Sequence, residues 1–169
     1  MTLSMHSSSV PTFLRTLTAM SSWLDAAEAH ASAKSFEVDE FVGFQLTPDM
    51  KPLSFQVQSA CDAAKLCVAR LAGTEAPSWK DDESTIAELR GRVSKTIEYV
   101  NSISAAQVDG SEEQAIEMQA GPDRTLTFTG EDYLRGFAIP NFFFHATMAY
   151  ALLRQGGVPI GKVDFLGAL

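Results

Sequence analysis

The chain has 169 residues, 46% of them hydrophobic and 20% charged, a mixture that suits one globular core and neither disorder nor a membrane-embedded chain. Its formal net charge of −8 argues against general binding to nucleic acid or to anionic lipid, both of which call for a basic surface. One domain over residues 1–169, with neither nucleic acid nor membrane as a partner, is the expectation.

The opening MTLSMHSSSVPTFLRTL has no basic stretch leading into a long apolar run, so no secretory signal is expected. Cys61 and Cys67 sit six positions apart in one helical pattern. Their Cα atoms would stand about 9 Å apart along a helix, too far for a disulfide. Their spacing also misses a CxxC site, and two reduced core thiols suit a cytoplasmic protein.

Residues 10–33 predict the first helix, with Ser9 as cap, Pro11 in the first turn, and Phe13, Leu14, Leu17, Met20, Leu24, Ala27 and Ala31 at helical spacing. The connection over residues 34–48 is long and carries Phe36, Val38, Phe41, Val42, Phe44 and Leu46. It predicts a crossover with a helical turn near Asp39, so the first two helices need not be neighbours. A second helix is expected over 50–72, capped by Asp49 and stopped by Gly73, with a stripe through Leu53, Val57, Ala60, Cys61, Ala64, Val68 and Leu71.

A third helix is expected over 85–102, where Thr85 and Glu88 have capping-box spacing. The acidic run Asp81-Asp82-Glu83 ahead of it reads as a solvated helix start. Residues 116–119 and 125–128 alternate apolar and polar around Gly121-Pro122-Asp123, the pattern of a short hairpin. A fourth helix over 130–155 follows, capped by Thr129 and bent or split at Pro140. The tail VPIGKVDFLGAL is apolar enough to pack on the domain or a partner.

Any chemistry should centre on the fourth helix. A uniform 100° advance puts Phe137, Asn141, Phe144, Met148 and Leu152 on its inward face, with Asn141 and His145 one turn apart at the edge. Buried polar groups need partners, since leaving one unpaired costs about 1–3 kcal/mol. On the second helix Gln56, Gln58 and Asp62 are the candidates, although the wheel makes Asp62 the more exposed. His30 falls on an outer face near a helix end, His6 in a solvated arm, and Tyr99, Tyr133 and Tyr150 read as packing residues. No phosphate loop, G-x-S-x-G or H-E-x-x-H is present.

The phrases LTPDMKPLSFQVQSACDAAK, TLTFTGEDYLRGFAIPNFFFHATMAYALLRQGGVPIGK and DFLGA resemble a bacterial family of unknown function within the DinB/YfiT-like metalloenzyme superfamily, over nearly the whole chain. The resemblance implies an all-α fold: a DinB-type four-helix bundle, often a homodimer, with a long first crossover and a short β-hairpin before the last helix. It also implies a divalent metal such as zinc or nickel, held by one histidine of the second helix and an H-x3-H pair of the last, and in some members thiol S-transfer. Here His145 has Asn141 four before it and Ala149 four after, and the second helix has no histidine. No cofactor is therefore expected. The favoured reading is a metal-free bundle binding a small molecule near His145, Asn141, Gln56, Gln58 and Asp62. The alternatives are a metal-dependent transferase with His145 as ligand and Asp62 as base, and a dimeric interaction protein.

Overall fold

A computed structural model describes residues 3–121 and 123–167. In chain order the elements are α1 (Met5–Lys34), a 3-10 turn (Val38–Gly43), α2 (Leu53–Leu71), α3 (Ile86–Ser102), the short α4 (Ala105–Val108), β1 (Ala115–Gln119), β2 (Thr125–Thr129), α5 (Gly130–Asp132), a π-helical stretch (Tyr133–Ala138), α6 (Ile139–Gln155) and α7 (Lys162–Leu166). Around the core α1 packs on α3, α3 on α2, α2 on α6 and α6 on α1. The first two helices are thus diagonal, as the long crossover allows. The expected four-helix bundle with a hairpin before the last helix is the fold observed.

Two helix starts differ from expectation. The Ser4 hydroxyl accepts the Ser7 backbone N–H and the Ser7 hydroxyl accepts that of Ser4, so α1 begins at Met5. Ser9 is not the cap: it is fully buried and donates its hydroxyl to the Met5 carbonyl at 2.7 Å. Pro11 therefore lies inside the helix, where it supplies no N–H to the Ser7 carbonyl. Asp49 is not a cap either; it accepts the Thr47 hydroxyl in the preceding turn, and α2 starts after Pro52. A proline holds the residue before it in extended conformation, so Lys51 cannot be helical and the start is delayed. The Thr85/Glu88 box forms as expected.

The hairpin pairs Ala115 with Thr129 through to Gln119 with Thr125. Pro122 of the expected turn and the last two residues of the tail lie outside the described residues. Pro140 does divide the final helical segment. It gives no N–H to the Gly136 carbonyl, and the Ile139 N–H reaches back to Leu134, a π-type bond. The π stretch buries Tyr133, Leu134 and Ala138, before α6 resumes with Phe142, Ala146, Ala149, Leu152 and Leu153 buried. A uniform wheel started at Phe137 is out of phase with this: Phe144 is 53% exposed and not inward.

Gly130–Gln155 is long and apolar enough for a membrane span by length and composition, yet here its inner face is core against α2 and α1. The tail packs back through α7, where the Trp23 indole N–H donates to the Asp164 carbonyl at 2.9 Å and its ring stacks on Phe165.

Candidate cleft between the second and last helices

His145 is half-buried on α6, facing the start of α2. Gln56 beside it is 2% exposed, and its amide Nε2 donates to the Lys51 carbonyl at 3.0 Å. That bond turns Oε1 toward His145, 2.9 Å from ring atom Nδ1. An amide oxygen only accepts, so Nδ1 carries the proton and Nε2 presents a lone pair. Nε2 has no hydrogen-bond partner among the described residues. Burial lowers the His145 pKa from its ordinary 6.5, so the ring is neutral at pH 7. The Phe55 and Phe144 rings meet its ring at centroid distances of 6.0 and 5.2 Å.

A cleft of about 270 Å³ opens on this imidazole. One face of α2 contributes Ser59, Asp62, Leu66 and Arg70; the opposite wall contributes Asn141, Phe137 and Tyr133; and β1 closes one end with Met118. The helices run antiparallel, so His145 and Ser59 mark one end while Arg70 and Tyr133 mark the other. There the Arg70 guanidinium donates to the Tyr133 hydroxyl at 2.7 Å and lies over the same ring. Burial pushes the Tyr133 pKa up to about 12, so the phenol stays protonated. A larger groove of about 720 Å³ lies between α1 and α7, lined by Leu14, Ala19, Trp23 and Ile160 together with Arg15, Ser22 and Asp164.

The five expected site residues divide. His145, Asn141 and Asp62 line the cleft. Gln56 stands behind the ring and sets its tautomer. Gln58 belongs elsewhere: it is 7% exposed and donates to Glu83 at 3.0 Å. Asp62 does not pair with His145, because its Oδ1 accepts from Lys65 at 2.7 Å and Arg92 at 2.9 Å.

The acidic run is solvated only in part: Asp81 and Asp82 are exposed, whereas the Glu83 side chain is largely buried. Asp81 and Glu83 accept from Arg92 at 2.9 and 3.1 Å, and the Arg92 side chain is fully buried. Trp79 lies beneath Lys65, Arg92 and Lys95 at 4.4, 5.3 and 4.9 Å. Burial alone would raise the Glu83 carboxyl, but hydrogen bonds from Gln58, its own backbone and Arg92 hold it below its ordinary value. His30, expected on an outer face, packs edge-on to Phe36 at 5.9 Å.

Helix order, crossover and hairpin together define a DinB-type bundle with its cleft between the second and last long helices. The chain belongs to the family described as "Domain of unknown function (DUF1993)", which it matches over residues 5–166. It is similar to a solved DinB family member from Shewanella denitrificans, 37% identical, with a TM-score of 0.89 over 97% of this chain and 92% of that one. No curated protein matches the chain.

The histidine-held metal implied by the superfamily finds no fit in these residues. The cleft has one imidazole, an amide in the position four before it, and a carboxylate already bound to two cations. Among the described residues no group of three His, Cys, Asp or Glu could hold an ion. Zinc and nickel favour several nitrogen or sulfur donors. Arg70 and Tyr133 were missed from sequence. The signal available was spacing: Ser59, Asp62, Leu66 and Arg70 repeat at three and four along α2.

Proposed function

We propose that this protein binds a small organic molecule in the α2/α6 cleft, with the neutral His145 ring accepting a hydrogen bond at Nε2 and no metal held by the protein. The observation that carries this reading is the Gln56 bond, which commits Nδ1 of a ring that lines the cleft and leaves Nε2 without a partner among the described residues. Asn141 and Ser59 add polar groups, and Phe137 and Met118 add apolar wall. The buried, unpaired thiols Cys61 and Cys67 support a reducing, cytoplasmic setting.

The test is a ligand-observed NMR screen of small polar fragments against wild type and His145→Phe, alongside metal analysis of protein purified without chelator or His tag. Fragments whose signals lose their protein contact in His145→Phe, with no stoichiometric metal, are the expected result. Binding indifferent to that substitution, or zinc or nickel lost in His145→Ala, would overturn the reading. The latter would favour the metal-dependent transferase instead.

A second reading, a dimeric interaction protein, draws on Phe55 and Phe144, which are 38% and 53% exposed. Sedimentation of wild type against Phe55→Ser/Phe144→Ser tests it: a dimer that dissociates supports it, and a monomeric wild type removes it.

A further inference from the structure

The charges around the cleft are unequally matched. Asp62 is paired, its Oδ1 accepting from Lys65 and from Arg92, a cation that it shares with Asp81 and Glu83. His145 is uncharged with a protonated Nδ1. Arg70 has no carboxylate within ion-pair distance among the described residues, and its one side-chain partner is the Tyr133 hydroxyl. That hydroxyl accepts from Arg70, so its own hydrogen remains to be given. The cleft therefore has a guanidinium and a phenol O–H at one end, both donors suited to an anion. At the other end is the His145 ring, whose Nε2 has no partner among the described residues and is an acceptor suited to a donor. Leu66, Phe137 and Ala138 lie between them. Ser59 and Arg70, eleven positions apart on α2, span about 16 Å along the helix axis.

Resting on the cleft reading above, we infer that the ligand is an elongated organic anion, its carboxylate or phosphate on Arg70 and Tyr133, its apolar body along Leu66 and Phe137, and a hydroxyl or N–H group donating to His145. A cationic or uncharged ligand would leave Arg70 desolvated without compensation.

Calorimetric titration with octanoate, ω-hydroxyoctanoate, octyl phosphate and octanediol tests this on wild type, Arg70→Gln, Arg70→Lys, Tyr133→Phe and His145→Phe, each checked for fold by circular dichroism. The anions are expected to bind wild type and to weaken about tenfold in Arg70→Gln, with octanediol unaffected. The hydroxyl of ω-hydroxyoctanoate should add affinity that vanishes in His145→Phe. The ratio of octyl phosphate to octanoate says which anion the site prefers. If Arg70→Gln does not fold, Arg70→Lys and Tyr133→Phe give the same reading, each weakening the anions and sparing the diol. Octanediol binding as tightly as ω-hydroxyoctanoate, or anions indifferent to the Arg70 and Tyr133 variants, would overturn the anion assignment. The cleft reading would survive that outcome as long as His145→Phe weakened the diol. Absence of binding by every probe overturns the assignment outright.

Discussion

His145 titrates below its ordinary pKa because the folded chain removes water from the charged ring. In the unfolded chain the ring takes its proton near 6.5, and in the fold only at lower pH. Between those values the unfolded state binds more protons, so stability rises with pH. The contribution is complete above the unfolded value, is lost as pH falls through the window, and is level below the folded pKa. Urea unfolding across about pH 5 to 7 should show a steeper rise of stability with pH in wild type than in His145→Gln, which keeps only the slope of carboxylates such as Glu83. Arg92 poses the larger energetic question. Replacing it by Ala strips three carboxylates of a buried partner, and a loss of about 3–5 kcal/mol is expected by chemical denaturation. Arg92→Met, which keeps the volume, should cost less than Arg92→Ala. This cluster was illegible from sequence because Asp62, Asp81 and Glu83 meet Arg92 from two other segments. A helical wheel shows a charge's angle but not its distant partner.

Element boundaries follow local signals where the spacing is fixed and depart from them where proline intervenes. The Thr85/Glu88 box is a local signal with a fixed spacing, and α3 starts where it says. The Ser4/Ser7 box uses a serine where glutamate is usual, and Pro11 drew the expected start of α1 downstream. The π stretch escaped notice because periodicity arguments assume one pitch, whereas Pro140 and the Leu134–Ile139 bond change it locally. That stretch supplies Tyr133, Phe137 and Ala138 to the cleft, so the irregularity and the site coincide. Gly130 opens α5, the turn that leads into it. A methyl group there would collide with the Ser111 carbonyl oxygen, a backbone atom unable to rotate aside, whereas one at Gly136 meets nothing. Gly130→Ala should lose about 1–3 kcal/mol in urea unfolding. Gly136→Ala in the same helical run should be neutral or gain up to about 1 kcal/mol.

For the whole molecule, the long crossover allows α1 and α2 to lie diagonally, whereas the ring order α1, α3, α2 and α6 is set by tertiary packing that the sequence left open. The cleft's chemistry was half legible. His145, Asn141 and Asp62 line the cleft, whereas Gln58 joins the Arg92 cluster and Arg70, not expected from sequence, lines the cleft's far end. Which atoms of these side chains are already committed depends on tertiary hydrogen bonds such as Gln56 to Lys51. The central claim is that the fold keeps the imidazole of His145 neutral, protonated at Nδ1 and bare at Nε2. Nitrogen-15 NMR of the imidazole in protein prepared without chelator reads this directly at neutral pH. A neutral ring held by Gln56 gives a protonated-type shift for Nδ1 and an unprotonated, metal-free shift for Nε2. A charged ring, a proton on Nε2, or an Nε2 shift that a chelator reverses would contradict it.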